Sequence, residues 1–388
     1  MYIAALCSST DFVLRRNKKS SDKLMSAFLT NLEGAEWKKM RAIMSGVFTS
    51  GKLKLMTKFI AKVGDNLEAY IAKEAKKGSD VDMKVVGGYM AMDGILSAGF
   101  GVETNSFEDP ENIFRIMALR LTSAPGYASK LNMLKFIVLF TIPDWMIKFL
   151  GLSFLDTKSS VFFQDVIKKT YTKRKETGER RNDFIDMIVD AANSFSAKAK
   201  PTTATFEGEF EKDAAIDTSD LKDTDDNNGL DMETLLVANA ILFFFAGFET
   251  TSTGMTFITH QIVHNQEVQD KMIEEIDKVM GGADGELTFE RIQELKYMEK
   301  VIYEALRLQP AIISHERHCI RDYKVPDSEL VIPKGRFIHV YCGDLTTSKD
   351  NFANPDTFDP ENFDPSNKPN KFGLMVFGQG PRNCVGMR

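Results

Sequence analysis

The stretch Phe377-Gly-Gln-Gly-Pro-Arg-Asn-Cys-Val-Gly386 sets one of the chain's four cysteines among three glycines, a proline and an arginine. Gly378, Gly380 and Gly386 free the backbone for unusual conformations and close approach, Pro381 stiffens it, and Arg382 offers a forked donor two residues before the sulfur. A thiolate in such a loop would accept backbone N–H groups and be acidified. Three roles fit Cys384: a nucleophile, a metal ligand, or a small buried hydrophobe. A nucleophile calls for an imidazole base, yet His260, His264, His315, His318 and His339 form no motif that points at one. An axial ligand needs no base.

Around that loop lies a chain of 388 residues, long enough for a large single core or for two domains. Hydrophobic residues make up 43% and charged ones 27%, with 29 phenylalanines, a globular composition with an aromatic interior. The net charge of -6 supplies no basic field for phosphate, which argues against wholesale nucleic-acid binding. Cys7, Cys319, Cys342 and Cys384 show no ligand spacing and are too sparse to staple the chain, so they read as free thiols in a reducing compartment. The first residues lack a signal peptide's apolar core. The most apolar long window, Leu131 to Leu155, is interrupted by Lys135, Pro143, Asp144 and Lys148, which suits contact with a membrane surface better than a crossing.

Amphipathic spacing predicts helices over Glu36–Phe48, Leu53–Lys77, Val81–Gly99, Val161–Glu176 and Asp183–Asn193. The segment 194–229 reads as a solvated acidic loop, with nine acids against Lys212 and Lys222 between Glu207 and Asp226. A long apolar helix from Asp231 to about His264 follows, suited to the centre of a large domain. Gln266–Met280 and Leu295–Leu308 complete the helical set, the latter stopped by Pro310. Short strands are expected at Tyr323–Val325, Leu330–Ile332 and Arg336–Cys342. The reading is mainly α with a minor β region.

Within the long helix, Ala246-Gly-Phe-Glu-Thr-Thr-Ser252 interrupts an apolar run with an acid and three hydroxyls. Gly247 lets something flat or bulky approach, and Thr250 can turn its hydroxyl to a carbonyl one turn back. The stretch is either a groove with a proton-carrying acid and alcohol, or the point where the helix emerges into water. Glu304 and Arg307 share a helix face, as a surface ion pair commonly does. Trp37 and Arg41, four apart, present an indole N–H and a guanidinium, a fit for a carboxylate or phosphate as well as for packing.

The run Phe377-x-x-Gly380-x-Arg382-x-Cys384-x-Gly386 resembles the haem-binding signature of the cytochrome P450 family position for position. Trp37-x-x-x-Arg41, Ala246-Gly-x-Glu-Thr250 and Glu304-x-x-Arg307 precede it in that family's order. The text between them is similar to the animal microsomal, xenobiotic-metabolising branch. The resemblance implies one cytochrome P450 domain over 1–388, with the N-terminal anchor and C-terminal segment of the family absent. It implies haem as cofactor, Cys384 as thiolate ligand to the iron, and Trp37, Arg41, Arg317 and Arg382 as partners of the propionates. Phe377 and Gly378 would flank the sulfur, and Ala246 and Gly247 would lie over the haem face. Glu249 and Thr250 would support proton delivery; Leu242, Phe245, Ile312 and Ile313 would line a pocket for a lipophilic substrate. Glu304 and Arg307 resemble a buried structural pair whose third member, normally an arginine, is Asn362 here; an amide can hydrogen-bond the carboxylate but not neutralise it.

The implied activity is monooxygenation of a lipophilic small molecule (xenobiotic, steroid or fatty acid). Electrons would come from NADPH through NADPH-cytochrome P450 reductase, with cytochrome b5 as a further candidate partner, at the cytoplasmic face of the endoplasmic reticulum membrane. Two rivals remain: a haem-thiolate enzyme working on peroxide or by rearrangement, and a helical scaffold without haem.

Overall fold

The computed structural model describes residues 23–122, 144–149, 155–196, 231–281, 285–367 and 372–387. Most of the acidic loop expected at 194–229, most of the apolar window 131–155, and Cys7 lie outside them; residues 194–196, expected in the loop, instead end a helix. A helical body leads into a small β region. Helices α1 (Gly34–Ser45), α2 (Ser50–Lys77), α3 (Met83–Ile95), α4 (Ile113–Thr122), α5 (Thr157–Thr177) and α6 (Phe184–Ser196) precede the central α7 (Met232–His264); α8 (Gln266–Met280) and α9 (Lys296–Leu308) follow it. Helix α3 runs on into a π turn, Leu96–Phe100, closed by Gly101 in the left-handed region at φ 64°.

The ends of these helices follow from local chemistry. Asp82, Asp156 and Asp231 each accept a first-turn amide, so α3, α5 and α7 begin on carboxylate caps. Gly78 and Gly281 take up left-handed φ and stop α2 and α8.

Length and composition alone would let α7 cross a membrane. Here it packs against α3, α5 and α9 instead, with Ala238, Asn239 and Ile241 completely buried. Close approach explains the glycines on its partner. A Cβ at Gly87 would meet the Ser252 carbonyl oxygen at 3.2 Å, and one at Gly99 would meet the Phe243 ring at 3.1 Å. Phenylalanines fill the same seam: Phe243 stacks on Phe184 at 4.0 Å, and Phe244 lies 4.5 Å from Phe163.

The β region holds two antiparallel pairs. Strand β1 (Ser314–His318) pairs with β4 (Phe337–Tyr341), Ser314 opposite Tyr341, and β2 (Tyr323–Lys324) pairs with β3 (Val331–Ile332). The expected third strand is one residue shorter than predicted at each end, and at its C-terminal end Cys342 opens a short helix, α10 (Cys342–Thr346). Strand β1 is absent from the sequence reading; Ser-His-Glu-Arg-His has no apolar alternation, and its pairing with β4 makes it a strand.

Candidate functional site: a cysteine loop ringed by buried arginines

The loop 377–386 is a turn built on itself. The Cys384 amide donates to the Phe377 carbonyl at 2.8 Å, Asn383 to Gly380 at 2.9 Å, and Gly378 to Met375 at 2.9 Å. Gly378 and Gly380 both stand at positive φ, 72° and 75°, which L side chains rarely adopt, so the two glycines are conformational requirements of the turn. The Cys384 side chain is exposed, while its neighbours Arg382 and Asn383 are buried.

Distant elements hold this loop in place. From α1, Arg41 donates to the Asn383 carbonyl at 2.9 Å and to its side-chain oxygen. Arg382 reaches back to the carbonyls of Leu29 (3.1 Å) and Leu32 (2.8 Å), its guanidinium 4.1 Å from the centre of the Trp37 ring. From β1, Arg317 donates to the Gln379 carbonyl at 3.3 Å. His315, on the same face of that strand two residues earlier, has Nε2 2.6 Å from the Met375 carbonyl. Phe377 meets Tyr303 of α9 edge-on. Phe48 touches both ends of the site, 3.6 Å from the position a Gly386 Cβ would take and 5.9 Å, ring to ring, from Phe243 of α7.

Three arginines therefore tie the cysteine loop to the fold, each almost fully buried: Arg41 6% exposed, Arg317 1%, Arg382 6%. Among the described residues no carboxylate pairs with Arg41, and its Nε is buried without a hydrogen-bond partner. Burial pushes its pKa down to about 10, with the Cys384 sulfur as the opposing influence. A buried cation without an anion is costly, so Arg41 calls for a ligand that brings a carboxylate to it.

Haem brings two carboxylates and an iron that takes a thiolate, and the donor set fits it. Several side chains expected to face haem or substrate are accessible. Ala246 and Thr250, on an otherwise core helix, are exposed, as are Ile312 (43%) and Ile313 (72%). Leu242 and Phe245 are half-buried against the main core.

The polar break in α7 has two faces, with Ala246, Thr250 and Thr251 exposed on one and buried side chains on the other. Phe248 and Ser252 are buried, and Ser252 donates to the Lys84 carbonyl. The Thr250 hydroxyl donates to the Ala246 carbonyl one turn back, at 2.6 Å. Glu249 points elsewhere, to the Lys84 ammonium of α3 at 2.8 Å, which also donates to Thr253. Acid and alcohol are neighbours in sequence, but no hydrogen bond joins them here. Gly247 directs its missing side chain at α3: a Cβ would sit 2.9 Å from the Ile95 Cδ1. Its smallness lets α3 approach.

Glu304 and Arg307 are not a surface ion pair: both are completely buried. Arg307 forks onto the two carboxylate oxygens, 2.7 Å each, and donates to the carbonyls of Thr346, Pro355 and Thr357. Glu304 also accepts the Asp359 amide at 2.9 Å and the Asn362 side-chain amide at 3.1 Å. His315, Asn383 and Lys84 were missed by sequence reasoning. Only His315 left a signal, its two-residue spacing from Arg317.

The cytochrome P450 family model matches residues 2–388. The chain is 32% identical over 372 residues to cytochrome P450 6a9 of Drosophila melanogaster, covering 95% of this chain and 68% of that one. It is 31% identical over 389 residues to cytochrome P450 9e2 of Blattella germanica (95% and 69%) and 31% over 373 residues to cytochrome P450 6k1 of the same species (95% and 67%).

Proposed function

Since this chain belongs to the cytochrome P450 family and is thereby a haem-thiolate monooxygenase, we propose that its substrate is a lipophilic small molecule, a xenobiotic, steroid or fatty acid, and that its electrons come from NADPH through a flavoprotein reductase. One atom of O2 enters a C–H bond of the substrate and the other leaves as water, so each turnover consumes two electrons from NADPH and two protons. Cytochrome b5 is a candidate second donor, and the cytoplasmic face of the endoplasmic reticulum membrane the proposed location. When bound, haem supplies the activation of O2.

The observation that carries this reading is the exposed Cys384 sulfur beside Arg41, a buried guanidinium with no carboxylate of its own. Cys384 is proposed as the thiolate ligand, held by a turn that Gly378 and Gly380 shape through their positive φ. Trp37, Arg41, Arg317 and Arg382 would meet the propionates, forked donors facing carboxylates. Phe377 and Gly378 would shield the sulfur, and Ala246 would offer a flat surface. Leu242, Phe245, Ile312 and Ile313 give an apolar lining, which selects by fit more than by polar contact. Thr250 can release Ala246 and present its hydroxyl to oxygen, and the half-exposed Glu249 can exchange protons with water.

The test is the absorption spectrum of the reduced, carbon monoxide-treated holoprotein. The reading expects the strongly red-shifted Soret band of thiolate ligation, lost in Cys384→Ser. A normal band in that variant would overturn the assignment of the ligand. Thr250→Ala should keep the band while more O2 is reduced without product; unchanged coupling would remove Thr250 from the proton path.

A further inference from the structure

The apolar first half of α7, Leu235-Leu-Val-Ala-Asn-Ala-Ile-Leu242, contains one polar side chain, Asn239, and it is completely buried. A buried amide needs its hydrogen bonds met, and this one meets them far away in sequence. Its oxygen accepts the Leu29 amide at 2.8 Å; its nitrogen donates to the Ala27 carbonyl at 2.9 Å and to the Leu235 carbonyl of its own helix at 2.8 Å. Asn239 thus clasps the backbone of 27–29 to α7. Leu29 is shared, since its N–H goes to Asn239 and its C=O receives Arg382 at 3.1 Å. Three residues on, the Leu32 carbonyl takes the other arm of the same guanidinium.

We infer that Asn239 is a positioning residue for haem binding: it fixes the 27–32 backbone that in turn fixes Arg382, and so links the oxygen-side helix to the cysteine loop. This rests on the proposed role of Arg382 toward the propionates. Packing alone does not account for the arrangement. An apolar side chain at 239 would fill the same space, but the Leu29 amide and the Ala27 carbonyl would lose their partner and the register of the segment would no longer be set. A carboxamide supplies one acceptor and two donors, which are the three bonds used. Aspartate would retain the bond from Leu29 and lose both donors.

The experiment measures haem release from the reconstituted full chain to excess apomyoglobin, for wild type, Asn239→Ala, Asn239→Asp, Arg382→Ala and the Asn239→Ala/Arg382→Ala pair. Partners that orient a ligating group are typically worth roughly 10–100-fold in affinity, and Asn239→Ala should release haem faster by a factor in that range. Asn239→Asp should release haem at least as fast, because a carboxylate oxygen would then face the Ala27 and Leu235 carbonyls. The double variant should release haem no faster than Arg382→Ala, because both changes act through one guanidinium. Unchanged release in Asn239→Ala, or effects that multiply in the double variant, would overturn the inference; multiplied effects mark a structural clasp independent of Arg382. Should Asn239→Ala not fold, the Asp variant alone decides, by release faster than or equal to wild type. A wild-type chain that takes up no haem would overturn the Cys384 reading instead, a different outcome from equal release.

Discussion

Replacing Arg307 by methionine removes the cation from a site where nothing else can stand in for it. Breaking a buried ion pair from one side costs about 3–5 kcal/mol, since the remaining charge is left in a medium that solvates it poorly. Arg307 also serves the Thr346 and Pro355 carbonyls at 2.7 Å, both buried contacts. Orphaning a buried carbonyl costs at least about 1 kcal/mol, which brings the loss to roughly 5–7 kcal/mol, comparable with the whole stability of many domains. Glu304→Gln should be milder, about 3–5 kcal/mol, because Arg307 keeps its carbonyl acceptors and the amide oxygen can still accept from Asp359. The two changes together should cost less than their sum, as each relieves the charge the other strands. Urea unfolding followed by tryptophan fluorescence measures all three, Trp37 being buried next to Arg382. A cost under about 1 kcal/mol for Arg307→Met, the worth of an exposed pair, would refute this account, as would a larger cost for Glu304→Gln.

Gly247→Ala places a Cβ 2.9 Å from the Ile95 Cδ1, the mobile end of a side chain; overpacking should cost about 1–3 kcal/mol, less the helix propensity gained, and Ile95→Val should recover most of it in the same unfolding assay. Lys84→Met breaks a pair whose side chains are 43% and 37% exposed, so stability should move by less than about 1 kcal/mol; a larger drop in the urea midpoint would mean that Lys84 anchors α3 to α7. The Lys300 ammonium, with Ser366, holds the Asp364 carboxyl well below the usual carboxylate range. A depressed folded-state value gives stabilisation that is whole above about pH 4 and fades as pH falls through that lower value. Lys300→Met should flatten this acid limb, as measured by thermal unfolding from pH 5 to 2.

What the sequence made legible was whatever depends on short-range pattern. Gln266–Met280 was readable to the residue because its apolar stripe ends on a glycine that adopts left-handed φ. The central helix was readable from a long apolar run interrupted only by Asn239 between Leu235 and Gly247, and the cysteine turn from its glycines. Burial and partnership were not legible, because they depend on contacts across the chain. Glu304-x-x-Arg307 looks like any surface pair until the Thr346, Pro355 and Thr357 carbonyls close over it. Glu249 meets Lys84 across 165 positions, and Arg41 meets Asn383 across 342. Strand β1 escaped notice because five polar residues become a strand only when β4 lies beside them.

The same long-range dependence explains why the cysteine loop is at once well held and electrostatically incomplete. Its contacts come from α1, the 27–32 segment, β1 and α9, so it takes shape only when most of the described fold has formed around it. Burial in that fold pushes the Arg41 pKa well below its ordinary value, to about 10. The folded chain thus binds this proton less tightly than the unfolded one. The penalty, about 3 kcal/mol, is present in full below pH 10 and disappears only at more alkaline pH, where both states lose the proton. At neutral pH a ligand carboxylate that reached Arg41 would relieve that penalty, and on the proposed reading part of the ligand's affinity would be stored in the fold as an unmet charge. A site organised this way distinguishes its ligand by charge as well as shape: a flat apolar ring without carboxylates would fill the same space and leave the arginine as costly as before.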